Sequence, residues 1–176
     1  MKKPPSNGRI LPLCAVILTG VLALPALPAD AQSTAKSLGP VGFDMRIDHV
    51  GISVANLEES VNWYVGKLGF ELERPINRNP DSPTTIARIR RGNFTIELFE
   101  IKGAAALPDY RRDPTADLRV HGLAHFAFAV DDARAAAKEL EAKGVKIVLP
   151  PREDDRDITF FFVSDNSGNT FEFIQR

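Results

Sequence analysis

The residues able to do chemistry come in matched pairs. His49, in Ile47-Asp48-His49-Val50-Gly51-Ile52-Ser53-Val54, recurs as His125 in Leu123-Ala124-His125-Phe126-Ala127-Phe128-Ala129-Val130. Both stretches read apolar, any, His, apolar, small, apolar, small, Val. Glu97, in Thr95-Ile96-Glu97-Leu98-Phe99, recurs as Glu172 in Thr170-Phe171-Glu172-Phe173-Ile174. The offsets are 76 and 75 residues, and Leu68-Gly69-Phe70 against Lys143-Gly144-Val145 gives 75 again. Such a period marks two copies of one supersecondary unit. A lone histidine in a strand is ordinarily hydrogen-bonded, and a lone glutamate is ordinarily solvated. The same two types in equivalent places of two copies form a donor set instead. Buried carboxylates need a compensating charge, and a divalent cation satisfies two imidazoles and two carboxylates at once. His49, Glu97, His125 and Glu172 are therefore the candidate ligands of one divalent metal ion per site. These hard-to-borderline donors admit Ni, Zn, Co, Mn or Fe(II). His121 has no counterpart in the repeat and is expected at the surface.

The elements that must position these residues can be read from periodicity. Residues 46–54 alternate as a strand. Asn56 with Glu59 three positions on forms a capping box, and Leu57, Val61, Tyr64 and Leu68 recur at helical spacing up to a terminating Gly69. Strands are expected near 70–76, 84–91 and 93–101. The second copy repeats the order: a strand at 122–130, a helix from Asp132 to Lys143 with Gly144 closing it, and strands near 145–149, 158–164 and 169–175. Asp165–Asn169 has the composition of a hairpin turn. The fold class is thus α+β, two βαβββ units at 46–101 and 122–176, joined by a linker at 102–121. Strand parity puts Val50, Ile52, Val54, Phe94, Ile96 and Leu98 under the first helix, and His49 and Glu97 on the opposite face. The second unit does the same with Phe126, Phe128, Phe171 and Phe173 against His125 and Glu172.

The start of the chain has a different character. Lys2, Lys3 and Arg9 precede an uncharged apolar run from Ile10 to Leu27, and Ala29-Asp30-Ala31 offers a peptidase site. Residues 1–31 read as a signal peptide cleaved before Gln32, which predicts a periplasmic or secreted protein with no membrane anchor after cleavage. Residues 32–45 read as a flexible leader. The mature chain then has 145 residues and a net charge of −3, and it loses Cys14, the only cysteine. A disulfide, a thiolate metal site and a cysteine nucleophile are thereby excluded. Over the whole chain Lys and Arg number 22 against 23 for Asp and Glu, so no basic excess exists for a nucleic acid.

The pattern resembles the vicinal oxygen chelate superfamily, which includes glyoxalase I, methylmalonyl-CoA epimerase, extradiol dioxygenases and bleomycin-resistance proteins. The likeness runs over 46–176 and is carried by Ile47–Ile52, Leu57 with Trp63-Tyr64 and Leu68-Gly69-Phe70, Ile96–Glu100, His125–Asp132, and Asp165 with Gly168-Asn169 and Phe171-Glu172. It implies paired curved mixed sheets around a metal site held by His49, Glu97, His125 and Glu172. It also implies a lyase or isomerase that stabilises an enediolate on the metal, with Glu172 as the base that moves a proton and Glu97 as second candidate. The partner is a small-molecule substrate, and the assembly a homodimer. An extradiol-type dioxygenase and a non-catalytic, resistance-type binding protein are the alternatives. Ser53 and Ile101 stand where glutathione-using members carry Arg and Asn, and the epimerase branch commonly has Gln where this chain has Glu97. Arg152 and Arg156, in a charged stretch at 150–157 expected to be a loop, are candidates for holding an anionic substrate. The sequence leaves open whether a complete site forms within one chain or between two.

Overall fold

The computed structural model describes Phe43 and residues 45–176, of which Arg46–Arg176 cluster as one compact unit. The signal peptide expected at 1–31, and the leader expected at 32–45 apart from Phe43 and Met45, lie outside the described residues. The alternation of apolar and polar residues after Asp48 produces strand β1 (His49–Ser53), and the helical stripe produces α1 (Leu57–Leu68). Asn56 caps this helix, its side chain accepting from the Glu59 N–H at 3.0 Å. Glu59 returns the contact to the Asn56 side-chain amide at 3.3 Å rather than to its backbone, so only half of the expected capping box forms. Gly69 closes the helix at φ 69, a left-handed conformation that favours glycine. Strands β2 (Glu71–Leu72), β3 (Thr84–Arg91) and β4 (Phe94–Ile101) complete the first unit.

The linker carries a 3-10 turn at Asp109–Arg112 and a short helix, α2 (Pro114–Asp117), capped by Asp113. The second unit follows as β5 (Ala127–Ala129), α3 (Ala133–Ala142), β6 (Lys146–Glu153), β7 (Thr159–Ser164) and β8 (Thr170–Gln175). Each unit makes one four-stranded mixed sheet, in the orders β1-β4-β3-β2 and β5-β8-β7-β6, with β1 parallel to β4 and β5 parallel to β8. The equivalence reaches side-chain detail. The first N–H of α1, at Leu57, donates to Glu100 at 2.7 Å, and that of α3, at Ala133, donates to Gln175 at 2.9 Å. Both acceptors lie at the end of the central strand that the helix packs against.

Three strand boundaries differ from expectation. β2 is two residues long because Pro75 has no N–H to extend a ladder. β5 is shorter than 122–130, although the Glu172 N–H still donates to the Phe126 carbonyl at 3.0 Å and so holds His125 against β8. β6 continues through Pro150-Pro151 to Glu153, so the expected loop at 150–157 begins only at Asp154. β6 is the edge of its sheet, and its pairing with β7 is irregular between Leu149 and Arg152. An edge with a broken register is where a sheet tolerates prolines.

The apolar faces of both sheets and both helices form one core. Phe94 of the first unit meets Phe126 at 5.8 Å and Phe128 at 5.3 Å between ring centroids, and Tyr64 stacks on Phe171. The faces packed together are thus the ones that turn away from His49, Glu97, His125 and Glu172. A polar lock fastens the units. Asp165, buried in the β7–β8 turn, accepts from the Tyr64 hydroxyl at 3.1 Å, from the Asn169 side chain at 2.9 Å, and from the backbone N–H groups of Ser167 and Asn169. Burial pushes the Tyr64 hydroxyl well above its usual range, and the neighbouring Asp165 carboxylate adds to the shift. The folded chain therefore keeps this proton where the unfolded chain releases it, so stability falls as pH rises through about 10, the ordinary tyrosine value. Tyr64→Phe is expected to cost about 1–3 kcal/mol at neutral pH, because Asp165 stays buried and loses a donor. It should also flatten the alkaline fall, as measured by urea midpoints between neutral pH and pH values above that of tyrosine. An unchanged alkaline slope would show that the lock is not the titrating element.

Candidate metal centre

His49 projects from the first strand onto the open face of its sheet. In the ladder it stands opposite Thr95, and Gly51 stands opposite Glu97. The absence of a side chain at Gly51 makes room for Phe99, whose ring would lie 3.0 Å from a Cβ placed there. The small residue beside His49 therefore accommodates a neighbouring aromatic ring. His49 Nε2 lies 3.3 Å from Glu97 Oε2, and its Nδ1 lies 2.7 Å from Asp48 Oδ2. The hydrogen bond with His49, aided by the charge of Arg88, holds the Asp48 carboxyl below the usual range, as befits an acceptor for an imidazole N–H. With Nδ1 donating to Asp48, Nε2 presents its lone pair on the side of Glu97, the orientation a metal-binding imidazole needs.

The second unit repeats the pair. His125 Nε2 lies 3.4 Å from Glu172 Oε2, and the two side chains are 26% and 14% exposed. In both units a histidine Nε2 and a glutamate Oε2 converge at nearly the same separation, so each half presents two donors suited to a divalent ion. Among the described residues, no group of three or more His, Cys, Asp or Glu is placed to hold a metal. The structure brings His49 to Glu97 and His125 to Glu172, and it does not join the two pairs within one chain. His121 is exposed, as expected.

The two halves differ around these pairs: Ala124 stands where the first unit has Asp48, and the glutamates have different neighbours. Arg88 stands opposite Glu97 in the β3–β4 ladder and donates to Glu97 Oε1 at 2.7 Å. Its guanidinium also reaches Glu73 at 3.2 Å and Asp48 at 3.5 Å, so a single arginine ties Glu97 to the acceptor of His49. The position opposite Glu172 in the β7–β8 ladder is Phe162, whose ring meets His125 edge-on at 4.9 Å. Periodicity signals that Arg88 is on the open face, because Ala87 and Ile89 on either side are buried, but the sequence alone assigns it no carboxylate.

Of the two arginines expected to face an anion, Arg156 is engaged by Asp154 at 2.6 Å in the loop after β6. Arg152 lies on β6 opposite Phe160, its guanidinium carbon 4.9 Å from that ring's centroid. A cavity of about 910 Å³ lies elsewhere, beneath the linker at the ends of β1, β3 and β4. It holds none of the four candidate ligands, and its Arg78 is tied to Glu58 and Glu100. Size therefore does not locate the donor pairs.

Comparison with known proteins agrees with this architecture. Residues 46–173 match the model of the Glyoxalase/Bleomycin resistance protein/Dioxygenase superfamily. The chain belongs to that superfamily. Among its glyoxalase-superfamily relatives, lactoylglutathione lyase of Neisseria meningitidis is 30% identical over 75% of this chain and 91% of its own. Mitochondrial methylmalonyl-CoA epimerase of Dictyostelium discoideum is 29% identical over 64% of this chain and 65% of its own. The crystal structure of a glyoxalase family protein from Enterococcus faecalis superposes with a TM-score of 0.62 at 29% identity, covering 73% of this chain and 96% of that one. The paired mixed sheets are thus those of the glyoxalase superfamily, which contains both lyases and epimerases.

Proposed function

We propose that this protein is an exported, divalent-metal-dependent lyase or isomerase that moves a proton beside a carbonyl of a small oxygenated substrate, at a site shared by two chains. The observation that carries this reading is the equivalence of the two His–Glu pairs, 3.3 and 3.4 Å apart on the open faces of two repeated sheets. Two donors hold an ion poorly, and among the described residues of the chain no group of three is placed to hold one. Opposing the first half of one copy to the second half of another supplies His49, Glu97, His125 and Glu172 together. Relatives named as a lyase and as an epimerase support an enzyme of this breadth. The basic, then apolar, start of the sequence and its Ala-Asp-Ala site support export.

When bound, the ion would supply Lewis acidity toward vicinal oxygens of the substrate and stabilise the negative charge of an enediolate. The chain's own residues divide the remaining work. Asp48 fixes the tautomer and orientation of His49. Arg88 holds one oxygen of Glu97, which keeps that side chain in place. Glu172 has Phe162 where Glu97 has Arg88, and among the described residues no guanidinium pairs with it. It is the carboxylate free to turn from the ligand position, accept the substrate proton and return it. Glu97 is the second candidate for that role. Ser53 and Ile101 leave the usual glutathione contacts unmade.

Metal analysis of the purified protein tests the reading, followed by assays of metal-loaded protein with 2-oxoaldehyde hemithioacetals, 2-substituted thioesters and catechols. Exchange of substrate hydrogen with deuterated water supports the reading. Oxygen uptake with catechols would replace it with a dioxygenase, and a metal-free protein that sequesters a ligand would replace it with a binding protein. The arginine contact makes a further expectation. Arg88→Ala should weaken divalent-ion binding by about 10- to 100-fold, the usual effect of removing a group that orients a ligand. Competition with a chromophoric chelator measures this. Tighter binding would show that the guanidinium acts as a competing cation.

A further inference from the structure

Beside Glu172 lies a cavity of about 250 Å³, between the open face of β6–β8 and the short helix α2. Much of its wall is apolar, with Leu118, Leu149, Ile158, Phe160, Phe162 and Ile174 lining it. Strand parity explains this, since Phe160 and Phe162 share a face with Glu172, and Arg152 pairs with Phe160 across β6–β7. Four charged groups line the same space: Glu172, Arg152, Asp154 and Arg156. They do not have equal freedom. Asp154 accepts from the Arg156 side chain at 2.6 and 3.0 Å and from the backbone N–H groups of Arg156 and Ile158. That pair is closed on itself. Glu172 lies against His125. Arg152 alone has no carboxylate within ion-pair distance among the described residues, and its guanidinium is stationed over the Phe160 ring.

We propose that this cavity is the substrate's specificity pocket, and that it takes a small carboxylic acid with a short branched or aromatic body, whose carboxylate is held by Arg152. The proposal rests on the reading of Glu172 and His125 as the substrate-facing half of the centre. One uncompensated positive charge calls for one negative charge on the ligand. A planar guanidinium matches a carboxylate through two parallel hydrogen bonds. The apolar walls take the body of the molecule, and the volume suits a compact acid rather than a bulky conjugate filling the pocket. The carboxylate end then sits at Arg152 while the other end of the molecule faces Glu172, where the proton moves.

The test compares 4-methylpentanoate with its neutral isostere 4-methylpentanamide. Each is titrated by NMR into full-length protein stripped with chelator, so that no ion competes with Arg152 for the carboxylate. The wild-type protein is expected to bind the acid at least about tenfold more tightly than the amide, within the range of a charge-assisted arginine contact. Arg152→Gln should equalise the two, and Arg152→Lys should restore part of the preference. Unchanged amide binding in Arg152→Gln shows that the pocket remains folded. The proposal is overturned if the wild type does not distinguish acid from amide, or if Arg152→Gln still does. Metal content of the unstripped protein is measured in parallel. Bound metal with no acid preference defeats the carboxylate pocket alone. An acid preference in a protein that never binds metal defeats the metal-dependent reading and leaves the pocket standing.

Discussion

Purified protein is expected to carry one divalent ion per four-ligand set, and His49→Ala or His125→Ala to carry almost none. Each half of the chain offers only two donors, so a complete set has no spare ligand. Removing one imidazole leaves three donors that include two carboxylates, and the remaining histidine alone supplies nitrogen. Loss of a group that merely orients a ligand costs about 10- to 100-fold in affinity, so loss of the ligand itself should exceed that. The two substitutions should be equivalent despite lying in different units, because the His–Glu separations match at 3.3 and 3.4 Å. His121→Ala is the control: that residue is exposed and outside the repeat, and its removal should leave metal content unchanged. Elemental analysis after gel filtration reads the result, with circular dichroism to show that each variant folds. Full metal content in His49→Ala would end the assignment of the repeated pairs as ligands.

The residues that were legible in the sequence are those whose role is set by local pattern. Alternation at 49–53 and 94–101 gave β1 and β4, and the stripe from Leu57 to Leu68 gave α1 with its Asn56 cap. Recurrence gave the second sheet, with His125 and Glu172 on the same side of their strands as His49 and Glu97. What depends on register or on long-range packing was less legible. Arg88 is plainly outward-facing from its neighbours Ala87 and Ile89. Its partner is set by the β3–β4 turn, where Gly92 at φ 58 aligns Arg88 with Glu97. Pro150-Pro151 reads locally as a chain break, yet at a sheet edge the missing N–H groups cost little, and β6 runs on to carry Arg152 beside Phe160. Charge alone did not separate Arg152 from Arg156. The distinction comes from the turn at Asp154–Asp157, which folds Arg156 back onto Asp154. Pairing of the two apolar faces into one core also had no local signature, and it is this packing that leaves the His–Glu faces open.

Those open faces set the last expectation, which concerns how a complete site assembles. Mixing inactive His49→Ala with inactive Glu172→Ala is expected to restore roughly a quarter of wild-type activity after random subunit exchange, since about half the dimers are mixed and each holds one intact site of two. In such a dimer, the first half of the His49→Ala chain faces the second half of the Glu172→Ala chain, and that site carries both lesions. The other site joins the intact His49–Glu97 pair of the Glu172→Ala chain to the intact His125–Glu172 pair of the His49→Ala chain. If sites formed within single chains, every site would keep one lesion and the mixture would stay inactive. Because Glu172 is both candidate ligand and candidate base, the loss of rate in its own variant must be separated from loss of metal. Glu172→Gln keeps an oxygen donor but no proton acceptor, and if it retains metal while proton exchange falls, it can replace Glu172→Ala in the mixture. Recovery then reports an intact base rather than an intact ion. An inactive mixture in which mass spectrometry shows mixed dimers would place the four residues in one chain and overturn the shared site.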